Sequence, residues 1–156
     1  ARDDGAGDAI KLANDAGMVV VVVSNQSGIG RGYFDAEVLA AIHARLSVEL
    51  ARFGAHIDRF AVCPHASSDG SEPCSCRKPG TKLIDDAVVD FHIDRSRSFL
   101  VGDKTSDILA GQRAGVTTVL VQTGHAGRDG GHVATPDHVV ADLAAAVRLV
   151  AGLNLT

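Results

Sequence analysis

The chain is 156 residues long, 46% hydrophobic and 22% charged, which is enough for one domain with a buried core and too short for two. Its formal net charge of −4 provides no general basic field, so nucleic acid and anionic membrane surfaces are argued against as partners and any anion site must be local. No stretch approaches a membrane span, and the apolar run at residues 18–23 is strand-sized and lacks a signal peptide's arrangement, so a soluble protein is expected.

Strand and helix signals alternate from one end to the other, which predicts an α/β fold: a Rossmann-like parallel sheet with helices on both faces. A short helix over about residues 8–16 stops at Gly17, and the β-branched run 19–23 is apolar throughout, as in a strand buried on both faces, and ends at Ser24. From Asp35, Leu39, Ile42, Leu46 and Leu50 recur at helical spacing until Gly54, and a strand follows near 57–62. After Pro79 a helix carries Leu83, Ile84, Ala87, Val88 and Phe91 on one face, and a strand over 98–101 runs into Gly102-Asp103-Lys104. A helix over about 105–114 stops at Gly115, and a strand over 117–121 enters a loop rich in glycine and histidine. A short strand over 137–140 and an alanine-rich helix close the chain, with no internal repeat and no linker.

All three cysteines fall in one window, Cys63-Pro64-His65 followed by Cys74-Ser75-Cys76-Arg77-Lys78-Pro79. Cys63, His65, Cys74 and Cys76 can close a tetrahedral Zn²⁺ shell of three sulfurs and one imidazole, and an all-protein shell makes such an ion structural. The alternative is a set of buried free thiols beside a loop histidine. Closely spaced, reduced cysteines in odd number fit the cytoplasm better than a secreted disulfide framework. Arg77 and Lys78 stand between this clamp and the helix-starting Pro79, and paired cations held in place suit a phosphate, although in isolation they would read as a solvated loop pair.

In open parallel sheets ligands bind beyond the carboxyl ends of the strands. After the first strand, Ser24-Asn25-Gln26-Ser27-Gly28-Ile29-Gly30-Arg31-Gly32 offers hydroxyls, amides and glycine N–H groups that can cradle an anion, or it is an ordinary glycine turn. It is not a dinucleotide fingerprint, because the third glycine of that pattern falls at Tyr33. Asp103 and Asp107 lie four residues apart, near one helix face if the helix has begun, and a carboxylate pair suits Mg²⁺, with Lys104 able to meet a phosphate or sugar oxygen. The alternative for Asp107 is capping of the helix start. His43, His92, His125, His132 and His138 are expected at the solvent and are not candidates.

These motifs resemble the haloacid-dehalogenase-like phosphatases, over nearly the whole chain, and most closely the branch that acts on D-glycero-D-manno-heptose 1,7-bisphosphate or histidinol phosphate. The stretch VVVVSNQSGIGRG resembles the family's second motif, which implies that Ser24 stabilises the phosphoryl group and that Asn25, Gln26 and Ser27 line the substrate. The Cys/His window resembles this branch's zinc loop, which stands where larger relatives carry a cap domain. Arg77-Lys78-Pro79 resembles the third motif, with Lys78 neutralising phosphate charge and Arg77 recognising substrate. Gly102-Asp103-Lys104 with Asp107 resembles the fourth, with Asp103 ligating Mg²⁺ and Asp107 behind it; Lys104 tilts the substrate toward the heptose. The resemblance therefore implies a phosphoric monoester hydrolase using Mg²⁺ and Zn²⁺ on a small phosphorylated metabolite, and it leans toward a monomer.

One departure is large. The family begins with an apolar strand ending in Asp-x-Asp-Gly, and no Asp-x-Asp occurs in this sequence. The first of those aspartates is the nucleophile and the second the acid and base, so the chain as it stands is expected to be inactive alone. Arg2-Asp3-Asp4-Gly5 lacks a preceding strand and stands just before the first helix, so Ala1 reads as a truncation point within one phosphatase domain spanning 1–156. The missing strand would lie mid-sheet, beside those ending at Ser24 and Asp103, leaving two unpaired edges. A non-catalytic module that binds a phosphorylated ligand or a protein is the competing expectation.

Overall fold

The structure, a computed structural model, describes residues 6–25, 36–63, 80–124, 126–131 and 133–154. In chain order these form α1 (Ala6–Asp15), β1 (Val21–Asn25), α2 (Ala36–Ala51), β2 (Arg59–Cys63), α3 (Lys82–Phe91), a 3₁₀ turn (Arg95–Arg97), β3 (Phe99–Gly102), α4 (Thr105–Ala114), β4 (Thr117–Val121), β5 (His138–Val140) and α5 (Leu143–Asn154). Every observed strand pair is parallel. Parallel neighbours need crossover connections, which explains why strands and helices alternate along the chain.

The described strands form two ladders, β1–β2 and β3–β4–β5. Alternation of side chains along β4 assigns a helix to each face of the second ladder. Val119 and Val121 pack with Ala146 and Val150 of α5, whereas Thr118 points at Gly111 of α4. A Cβ at Gly111 would stand 2.6 Å from the Thr118 methyl, so glycine lets α4 lie directly on the strand. Ile108, Ala110 and Ala114 of the same helix are buried.

Side chains tie the two ladders together. Ala9 and Ala13 of α1 pack against Val147 of α5, and Met18, just before β1, packs against this cluster and against the α5–β4 cluster. A second tie runs through α3, which lies on β1 and β2. Arg59 of β2 pairs with Asp90 at 2.6 Å and lies over the Phe91 ring at 4.8 Å. From the following 3₁₀ turn, Arg95 reaches back to Asp85 at 3.0 Å and forward to the Ala114 carbonyl at 2.6 Å, joining α3 to the end of α4.

Two expectations are corrected. The first strand begins two residues later than the valine run and includes Ser24 and Asn25, because its ladder continues to Val62 and Cys63 of β2. Its valines are half-buried, and Val19 before it is 42% exposed. His43 is not a solvated side chain: its ring stacks on Phe60 with centroids 4.1 Å apart.

The connection after β4 is tied to the start of α4. The Asp129 carboxylate accepts from the Thr105 N–H at 2.9 Å and the Thr105 hydroxyl at 2.7 Å. The backbone bond from Thr105 is the larger cause, followed by its hydroxyl, of an Asp129 pKa lowered to about 2. A carboxyl whose folded pKa is depressed stabilises the fold above its ordinary pKa, and the contribution is lost as the pH falls through the folded value. Side-chain carbon NMR titration should therefore place the Asp129 midpoint near 2. A midpoint in the ordinary aspartate range, near 3.9, would show that the tie to Thr105 is not made in solution.

Candidate active site

The site is assembled from strand ends. At the end of β1, Ser24 and Asn25 are in register with Val62 and Cys63, so both strands of the first ladder finish level with each other. The turn that follows, with Gln26 and Ser27, lies outside the described residues, as do His65, Cys74, Cys76, Arg77 and Lys78. The anion cradle and the Arg-Lys pair therefore enter only through the strands that lead to them.

Cys63 is buried at the end of β2. Its sulfur is disulfide-bonded in this structure. A sulfur in a disulfide is not a thiolate ligand, and the close approach that a shared metal requires also permits oxidation. Among the described residues no group of three or more His, Cys, Asp or Glu side chains is arranged to hold a metal ion.

The end of β3 is described in full. Gly102 closes the strand, Asp103 and Lys104 form the connection, and α4 begins at Thr105. Asp103 thus precedes the helix, and the two carboxylates are not presented side by side on a helical face. Asp107 turns back: buried, with 6% of its surface exposed, it accepts from the Lys104 N–H at 3.2 Å. That bond satisfies one of the donors that a helix start leaves without an intrahelical acceptor. Gly102 makes room for it, since a Cβ there would stand 2.5 Å from the Asp107 carboxylate oxygen. Asp103 itself is half-buried, against Gly124 in the connection after β4, and its carbonyl accepts from the Gly127 N–H at 2.7 Å.

This geometry leaves a single half-buried aspartate at a strand end, held from behind by a second, buried one and accompanied by an exposed lysine. Mg²⁺ is commonly held by one or two carboxylates, with water and substrate phosphate completing its octahedron, so the Asp103 environment fits that ion. The connection after β4 is the part that periodicity left without a role. Its glycines gave the only signal: Gly124 takes φ +61° where it meets Asp103, a conformation that side-chain-bearing residues avoid.

Comparison with known proteins places the fold and the family. A HAD-hydrolase-like family model matches residues 75–146. The chain is 39% identical over 128 residues to the D-glycero-beta-D-manno-heptose-1,7-bisphosphate 7-phosphatase of Haemophilus ducreyi, covering 79% of this chain and 70% of that protein. It is 36% identical over 155 residues to the D-glycero-D-manno-heptose-1,7-bisphosphate 7-phosphatase of Chlorobaculum tepidum, covering 92% and 78%. Its structure superposes with a TM-score of 0.86 and 34% identity on the D,D-heptose 1,7-bisphosphate phosphatase of B. bronchiseptica, solved in complex with magnesium and phosphate, over 96% of this chain and 83% of that one. The motifs at Ser24, Arg77-Lys78-Pro79 and Gly102-Asp103 and the parallel α/β architecture point the same way, and the chain belongs to the haloacid-dehalogenase-like phosphatases, a family of phosphoric monoester hydrolases.

Proposed function

We propose that the protein is a Mg²⁺-dependent phosphatase of D-glycero-D-manno-heptose 1,7-bisphosphate. The observation that carries this reading is the similarity, at 34% identity and a TM-score of 0.86, to a heptose bisphosphate phosphatase solved with magnesium and phosphate, combined with Asp103 just past the carboxyl end of β3, where open parallel sheets bind ligands. In this reading Asp103 holds the ion and Asp107 fixes the connection behind it. Bound Mg²⁺ would neutralise charge on the phosphoryl oxygens. The Ser24 hydroxyl donates to a phosphoryl oxygen, Lys78 offsets phosphate charge, Asn25, Gln26, Ser27 and Arg77 line and recognise the substrate, and Lys104 meets a phosphate or sugar oxygen.

Hydrolysis also needs a carboxylate that attacks phosphorus and an acid that protonates the leaving oxygen. We place that Asp-x-Asp pair on a strand between β1 and β3. The support is that, among the described residues, no backbone ladder joins the β1–β2 pair to β3–β4–β5. The same reading has a monomer acting in the cytoplasm on a small phosphorylated metabolite, with no role for nucleic acid; no helix among the described residues is long and apolar enough to cross a membrane. It also includes a structural Zn²⁺ held by Cys63, His65, Cys74 and Cys76 once Cys63 is reduced. Spacing in the sequence is its support.

In a protein that carries the Asp-x-Asp pair, Asp103→Asn should abolish Mg²⁺-dependent phosphate release, and Lys78→Ala should lower kcat by about 10²–10³-fold, both with folding intact by circular dichroism. Full activity in both variants would end the phosphatase reading. For the zinc loop, elemental analysis of the reduced protein should find stoichiometric Zn²⁺ that Cys63→Ser loses. Zinc-free reduced protein of unchanged stability would leave the cysteines as thiols and disulfide alone.

A further inference from the structure

This inference rests on the reading of Asp103 as a metal ligand and concerns what holds that carboxylate in place. Three residues of the connection after β4, Gly124, Gly127 and Asp129, join it to residues 103–105. The Gly127 N–H donates to the Asp103 carbonyl at 2.7 Å. The Asp129 carboxylate accepts twice from Thr105, from its N–H at 2.9 Å and its hydroxyl at 2.7 Å. Gly124 presses so closely on the Asp103 carboxylate that a Cβ at that position would collide with it. From the other side, Asp107 takes the Lys104 N–H at 3.2 Å. The short connection that carries Asp103 is thus fastened both ahead and behind.

Asp129 is the part of this clasp that packing does not explain. It is exposed and belongs to neither core cluster. Its partner, Thr105, is the first residue of α4, where the N–H has no intrahelical acceptor. Asp129 supplies that acceptor from 24 residues away, binding the loop of Gly124 and Gly127 to the strand end. Groups that orient a metal ligand commonly govern metal affinity without touching the metal. We propose that Asp129 is a positioning residue for the Asp103 carboxylate: by clamping Thr105 it holds Gly124 and Gly127 against Asp103 and so sets the affinity for a divalent cation.

The test is Mg²⁺ binding to the protein by titration calorimetry, with melting temperature measured on the same samples. Asp129→Ala should weaken Mg²⁺ binding about tenfold, and Asp129→Asn, which keeps an acceptor oxygen for Thr105, should recover most of the loss. The control for a general loss of stability is Asn14→Ala. It breaks a remote clasp in which Asn14 donates to the His56 carbonyl at 3.1 Å and accepts from the His56 N–H at 2.8 Å. That variant should melt lower and bind Mg²⁺ like the wild type. Wild-type affinity in Asp129→Ala, or an equal loss in Asn14→Ala, overturns the proposal. Asp103→Asn separates the two layers of the argument. If it abolishes binding while Asp129→Ala does not, only the positioning role falls; if it leaves binding intact, both fall. The expected order of affinities in a protein that releases no phosphate supports the positioning role and refutes only the phosphatase reading.

Discussion

Among the described residues, the joint between the two parallel ladders is made by side chains, and the placement of their strand ends relative to each other depends on it. Met18 packs against both hydrophobic clusters, and Ala9 and Ala13 of α1 press on Val147 of α5. Alanine on α1 brings its backbone near α5, so the burial is contributed by a close helix pair rather than by large side chains. The Arg59–Asp90 and Arg95–Asp85 pairs add direction to the joint, with Arg95 also bound to the last turn of α4 through the Ala114 carbonyl. Exposed or half-exposed ion pairs contribute little stability, so their value here is in fixing how α3 lies.

Within that frame, glycine controls distance at the site. Gly111 lets α4 sit on Thr118, Gly102 admits the Asp107 carboxylate behind the strand end, and Gly124 meets the carboxylate of Asp103. Each contact would be blocked by a single methyl group. The half-buried aspartate that results is set by backbone approach on one side and by hydrogen bonds to Lys104, Thr105 and the Asp103 carbonyl on the other. Such an arrangement keeps a ligand where it is needed before a cation or phosphate arrives, so less is spent on ordering it upon binding.

Much of this was legible in the sequence, for local reasons. Helix α4 and strand β4 were bounded correctly because Gly115 ends one and the β-branched run begins the other. The end of β1 was misplaced because polarity marks exposure, whereas a parallel ladder continues through Ser24 and Asn25 as long as β2 offers partners. Asp107 had two readings, and only the observed turn of its carboxylate onto Lys104 shows it at work as a cap. The Asp129–Thr105 clasp left no trace in any periodicity, since it joins a loop to a helix start across the intervening β4.

The central claim is the chemistry at the end of β3, and substrate choice tests it most directly. Phosphate release should be measured with Mg²⁺ from D-glycero-D-manno-heptose 1,7-bisphosphate and, in parallel, from histidinol phosphate, using this chain alone and this chain extended upstream by about thirty residues, room for a strand and its loop. The account predicts turnover of the heptose bisphosphate by the extended protein, far slower turnover of histidinol phosphate, and none of either by this chain alone. Release of phosphate from neither compound by either protein would contradict it and favour a module that binds a phosphorylated ligand without hydrolysing it.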